Sequence, residues 1–197
     1  MGTRGAIGWH KDGEDKIAYN GMDSYPSYLG VSMLKYAGRG LVSLNADFDD
    51  TQIIDDETRP TKEQIERCIA HESVDLSVSE QNETDWYCLL RNVQGDLEGT
   101  ADLGYMVDYS QFLRDSVFCE WAYIVNLDTE MLECYSGWRD KKPSGRYGEI
   151  TQEAIDHQLA GYSGNVYYGV GLLKAYPLAE LPDEEAFVEE LDRLAQR

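Results

Sequence analysis

Residues 119–136 constrain the fold more than any other stretch. Cys119-Glu120-Trp121-Ala122-Tyr123-Ile124-Val125-Asn126 is rich in aromatic and β-branched residues and reads as a strand. Leu127 to Glu130 reads as a turn, and Met131 to Tyr135 as the return strand. With the turn centred on Asp128-Thr129, Tyr123 faces Cys134 and Val125 faces Leu132. The opposite face carries Ala122, Ile124, Met131 and Tyr135. A hairpin that is apolar on both faces belongs in the middle of a sheet, covered on either side.

A second hairpin opens the chain. Residues 3–10 alternate loosely, Asp12-Gly13 is suited to a tight turn, and residues 14–20 return. A two-residue turn sets Ile7 and Trp9 opposite Ala18 and Lys16, and Ala6 and Gly8 opposite Tyr19 and Ile17. Gly5 and Gly8 leave room for close approach of another element.

Helical spacing dominates between the hairpins. A helix is predicted from Ser27, carrying Leu29, Met33, Leu34 and Tyr36 and stopped by Gly38 and Gly40. Residues 41–50 fit a strand or a short helix, and residues 51–60 an acidic loop. Thr61 caps a helix over 62–71, with Ile65, Cys68 and Ile69 inward. Residues 74–79 fit a strand or a loop. Thr84-Asp85 starts an aromatic helix at about 85–92, with Trp86, Leu89 and Leu90 inward, and weaker helical patterns follow at 96–101 and 109–117.

Beyond the central hairpin come a polar loop at 138–148, a helix at 151–160 capped by Thr151, and a strand at about 166–176. An acidic helix over 183–195 closes the chain, with Phe187, Val188, Leu191 and Leu194 on one side. The sum is a single α+β domain over 1–197. Its antiparallel sheet comes from the N-terminal hairpin (about 3–20), the central hairpin (about 119–136) and the C-terminal strand (about 166–176), packed with helices.

Charge narrows the function classes. The chain carries 37 acidic and 17 basic residues, a net charge of −20. Such a surface repels nucleic-acid and membrane phosphates, so direct binding to either is not expected. The one basic cluster, Arg139-Asp140-Lys141-Lys142, reads as a loop. Solubility explains the acidity; mimicry of a phosphate backbone is the sharper reading. No apolar run approaches membrane-spanning length, and residues 1–5 lack the apolar block of a signal peptide, which predicts a cytoplasmic protein.

No metal or cofactor is expected. The four cysteines lack Cys-x-x-Cys spacing and read as buried thiols. His10, His71 and His157 are scattered and read as surface or loop residues. The acidic residues of 47–57 lack the glycine and the closing Glu of an EF-hand. Gly2 offers no side-chain nucleophile for N-terminal nucleophile chemistry, and no catalytic residues are identified.

The candidate site is the join between the first hairpin and the first helix. Arg4, Tyr19, Asn20, Asp23, Ser24 and Tyr25 are the candidate ligand-binding residues. An Asp in such a loop serves as acid or base, or orients an arginine. The structural alternative is an Asx turn at Asp23, or an Asp23–Arg4 pair tying hairpin to helix.

The same residues carry a resemblance. Met1-Gly2-Thr3-Arg4-Gly5, a hairpin, then Tyr19-Asn20-x-x-Asp23-Ser24-Tyr25-Pro26-x-x-Leu29-Gly30 resembles a family of uncharacterised proteins common in tailed phages and actinobacteria. The resemblance continues through Pro60–Ile65, Asp85–Arg91 and Phe118–Tyr123. Gly21 and Met22 stand where the family's pattern has His and an aromatic residue. The resemblance implies a phage-related setting without a mechanism.

The expectation is a soluble acidic binding or interaction protein of phage or prophage type. Its partner is a host protein or a small molecule, and its oligomeric state is open. One alternative is a hydrolase or transferase with a cleft around Asp23. The other is a nucleic-acid-mimicking inhibitor.

Overall fold

A computed structural model describes residues 2–77, 82–161 and 166–196. Strands β1 (Gly5–Lys11) and β2 (Glu14–Asn20) form the first hairpin in the expected register, with Ile7 opposite Ala18 and Trp9 opposite Lys16. Asp12 and Gly13 turn the chain at φ 52° and 79°, the left-handed pair that matches strand twist in a two-residue hairpin. A π-helical turn at Pro26–Gly30 leads into α1 (Val31–Ala37), and α2 (Leu41–Asp50) follows. The ambiguous 41–50 stretch is thus helical. Leu44 and Phe48, four residues apart, are its buried positions.

The segment expected to be an acidic loop contains a short strand, β3 (Gln52–Ile54). Helix α3 (Lys62–Ala70) begins with a capping box in which Thr61 and Gln64 satisfy each other's backbone amides. Cys68 is buried there, while Ile69, expected inward, is half exposed. The aromatic helix is shorter than predicted: α4 (Trp86–Leu89) gives way to a 3₁₀ turn at Arg91–Val93. Helix α5 (Leu97–Leu103) leads through Gly104 to β4 (Tyr105–Val107), which pairs in parallel with β3. The helical pattern at 109–117 is a 3₁₀ turn at Ser110–Arg114.

Strands β5 (Trp121–Asn126) and β6 (Met131–Ser136) form the central hairpin in the expected register, and all six residues of β5 are buried. Helix α6 (Gln152–Gly161), strand β7 (Gly171–Pro177) and helix α7 (Glu184–Ala195) complete the order. Two expectations need correction. The C-terminal strand starts at Gly171, not near 166, because the preceding backbone is taken by loops: Tyr168 N donates to Arg139 O and Val170 N to Leu113 O. The sheet is mixed, in the order β2-β1-β5-β6-β7, because β1 and β5 run parallel. Strand β2 carries the chain back to the end of the sheet where β5 begins, and residues 21–120 leave and return at that end.

Both faces of the sheet are covered. One packs Ile7, Trp9, Tyr123, Val125 and Leu132 against Met33, Leu34, Leu44, Phe48, Phe187 and Leu191 of the helices. The other packs Ala6, Ile17, Ala122, Ile124 and Tyr135 against Leu113, Tyr147 and Val170. A third cluster, Ile54, Cys68, Trp86, Leu89, Val93 and Leu103, fills the small β3–β4 unit. Lys16, nearly buried, donates to the carbonyls of Phe48 and Thr51, both at 2.7 Å, and so satisfies the C-terminus of α2. All four cysteines are buried thiols, as expected.

Buried phenols knit these layers together. The Tyr36 hydroxyl accepts from Trp9 Nε1 at 3.0 Å and donates to Asp47 at 2.7 Å. Tyr135 donates to Glu133 at 2.6 Å, Tyr147 to Asp15 at 2.7 Å and Tyr176 to Glu190 at 2.9 Å. Burial first, and the carboxylate second, push each of these four phenols above its ordinary value. A raised phenol pKa favours the protonated native state. That stability is intact below about pH 10, the unfolded phenol value, and is lost as pH climbs past it. Phenolate formation in an alkaline titration is read at 295 nm. These four are expected to ionise only together with the loss of near-ultraviolet circular dichroism; phenolate absorbance from all tyrosines before unfolding would contradict this.

Candidate functional site

An aromatic pocket forms where the β3–β4 unit meets edge strand β2. Tyr109 N donates to Ile17 O at 2.8 Å and Ile17 N to Asp108 at 3.2 Å, which lays the end of β4 along β2. Helix α4 closes the other side. Asp85 caps it by accepting from Tyr87 N at 2.9 Å, and Trp86 Nε1 donates to Thr58 O at 2.8 Å. These contacts fix Trp86 and Tyr105 edge to face, with centroids 6.0 Å apart.

The pocket encloses about 120 Å³. Its floor is apolar: Ala18, Trp86, Leu90, Val93 and Met106, with Tyr105 at the side. Its rim carries Tyr19, Tyr87, Tyr109, Arg91 and Gln94, with Asp56 and Asp85 at the lip. Tyr87 and Tyr109 are 45% and 39% exposed, large rings left partly in solvent at the mouth. Tyr19 packs on Tyr109 at 5.9 Å and on Phe112 at 5.2 Å. Burial raises the phenols of Tyr19 and Tyr109, so both are hydrogen-bond donors at neutral pH. Arg91 lies 5.5 Å from the centre of the Tyr87 ring and donates to Gln94. An apolar floor with a few polar groups at the rim is the usual composition of a small-molecule site.

The six sequence candidates part company around this pocket. Tyr19 lines it. Asn20 and Ser24 are buried and spend their groups on the loop itself: Asn20 Nδ2 donates to Met22 O at 2.5 Å and to Ser24 Oγ at 2.8 Å. Tyr123 donates to Ser24 O at 3.1 Å, pinning the loop to the central strand. Asp23 is exposed at φ 55°, and Tyr25 is also exposed. The Arg4 guanidinium stacks on Phe118, 4.6 Å from the ring centre, with no carboxylate ion pair among the described residues, while the Arg4 backbone amide donates to Glu120 at 3.3 Å. Five of the pocket's rim and lip residues, Tyr87, Arg91, Gln94, Tyr109 and Asp56, escaped the sequence reading. Tyr87 and Arg91 lie in the Asp85–Arg91 block of the resemblance, the one signal that pointed towards them.

Gly21 connects the loop to the pocket. A Cβ placed on it would lie 3.8 Å from the Tyr19 hydroxyl and 3.7 Å from Gln94 Oε1, both ordinary contacts. Position 21 therefore faces the rim, and glycine leaves that space open.

Two other polar clusters involve the histidines. His10, in β1, sits between Asp15 at 2.6 Å and Asp128 at 3.5 Å, against the expectation of a surface or loop residue. Asp15 also accepts from Tyr147, and Glu133 pairs with Arg146 and accepts from Asn126 at 2.8 Å. This network is internally bonded at the hairpin tips. His157 Nδ1 lies 3.0 Å from Asp115, a buried carboxylate that also accepts from Gln158 at 3.0 Å. The His157 ring stacks on Phe118 at 4.5 Å beside an open cleft of about 490 Å³.

No protein-family model, no curated protein and no solved structure matches the chain. No group of three or more His, Cys, Asp or Glu side chains suited to a metal ion occurs among the described residues, and no helix there is long and apolar enough to cross a membrane.

The loop geometry separates structural from surface roles. Asn20→Ala removes two buried hydrogen bonds and is expected to cost about 1–3 kcal/mol in denaturant unfolding. Asp23→Asn keeps a residue tolerant of positive φ at an exposed position and is expected to stay within about 0.5 kcal/mol of wild type.

Proposed function

We propose that this protein binds a small ring-bearing molecule in the aromatic pocket beside Tyr19. The observation that carries the reading is the pairing of an apolar floor with a rim of phenols, Arg91 and Gln94, two of whose rings stay partly exposed. A flat ring entering there exchanges water for the faces of Tyr19, Tyr109 and Trp86. The open space beside Gly21 supports the same reading, since no Cβ there narrows the gap between Tyr19 and Gln94. With that resemblance, the protein is a binding component of phage or prophage type acting on a small molecule of the host.

A ligand in the pocket is expected to quench Trp86 emission and raise the melting temperature across a panel of ring-bearing metabolites. Tyr109→Ala should weaken that binding at least tenfold. Gly21→His, whose Cβ meets only side chains at ordinary contact distance, should fold normally and obstruct the rim. Binding that ignores both substitutions would sink the proposal.

A second reading rests on the Asp115–His157 pair. A buried carboxylate holding Nδ1 leaves Nε2 to take a proton, the arrangement of a general base. It requires turnover of an ester or phosphoester panel that disappears in His157→Ala and persists in Tyr109→Ala.

A further inference from the structure

We infer that the ligand of the Tyr19 pocket is a single six-membered ring bearing an anionic group, with the anion held by Arg91. The inference rests on the ring-binding reading above and adds size and charge to it.

Size comes from the cavity. About 120 Å³ lies within a pocket that opens to solvent at its mouth, somewhat less than the roughly 150 Å³ cavity known to hold one benzene. One six-membered ring fills that space, and a fused bicycle exceeds it. Substituents on the ring lie outside, at the level of Tyr87, Tyr109 and Arg91.

Charge comes from the cation at the rim. The chain has more than two carboxylates for each basic side chain, 37 against 17. Even so, Arg91 has no carboxylate within ion-pair distance among the described residues; its one hydrogen-bond acceptor there is the neutral Gln94. The lip acids do not take it up. Asp85 spends its carboxylate on the α4 cap, and Asp56 is exposed. The guanidiniums of Arg4 and Arg91 both oppose the rise of the Tyr19 phenol pKa that burial causes. Arg91, 5.5 Å from the centre of the Tyr87 ring, keeps N–H groups for a phosphate or carboxylate, and the rim phenols add hydrogen-bond donors.

A pyrimidine mononucleotide and an aromatic carboxylate share this chemistry. Isothermal titration of the full chain with uridine 5′-monophosphate, uridine, adenosine 5′-monophosphate, 4-hydroxybenzoate and phenol separates the cases. At least one anionic single-ring compound should bind tenfold or more tighter than its neutral counterpart, uridine or phenol. Adenosine 5′-monophosphate should bind more weakly than the uridine nucleotide. Arg91→Gln should collapse the anion preference to within twofold while the neutral ring still binds, and Arg91→Lys should retain most of it. Preference for uridine 5′-monophosphate identifies a nucleotide site, and preference for 4-hydroxybenzoate a carboxylate site. Equal binding of neutral and anionic rings, or a preference unchanged in a folded Arg91→Gln protein, overturns the inference and leaves the ring pocket standing. Failure of every ring compound to bind overturns both.

Discussion

Parallel pairing of β1 with β5 is the constraint on which the rest of this structure depends. Each hairpin alone is a local object, set by a two-residue turn and by alternation of side chains. Joining them edge to edge in the same direction brings Gly5 opposite Trp121 and places Asn20, at the end of β2, at that same end of the sheet. The hundred residues between must therefore leave and return at one end. They do so by laying helices across one sheet face and building the small β3–β4 unit against β2.

That arrangement explains the position of the pocket. Edge strand β2 presents Ala18 and Tyr19, and β4 comes alongside it through the backbone of Tyr109. The small unit covers the exposed strand edge, which limits edge-to-edge aggregation. Its cover is incomplete above Tyr19, where Tyr87, Arg91 and Tyr109 stand apart around a space with an apolar floor. Buried networks elsewhere show the contrasting solution: His10, Asp15 and Tyr147 bond to one another, as do Glu133, Tyr135 and Arg146. Polar groups closed upon themselves stabilise a fold. Arg91, at a cleft and without a carboxylate ion pair among the described residues, has capacity left for a ligand.

Much of the local structure was legible in the residues. Asp12-Gly13, the Thr61 cap and the two-sided apolar run at 121–126 gave correct elements, because each rests on chemistry within a few positions. The misses share a cause. Residues 166–170 look like a strand, yet their backbone groups are claimed by the loop at Arg139 and the turn at Leu113. Ile69 fits a helical stripe but lies beyond the limit of what the small unit can cover. The candidate site was half legible: Tyr19 belongs to the pocket, whereas Asn20 and Ser24 hold the loop shut. Spacing identified a polar, aromatic loop and said nothing of which neighbour each side chain would meet.

The sequence by itself determined the two hairpins, their registers, the helical middle and the α+β class, since turn chemistry and hydrophobic period act over a few residues. Only the tertiary structure decided that β1 and β5 run parallel and that Tyr19 faces Arg91 and Tyr109, more than seventy positions along the chain. Such contacts depend on where a long connection comes to rest, and that is set by the packing of three hydrophobic clusters at once, not by any local pattern.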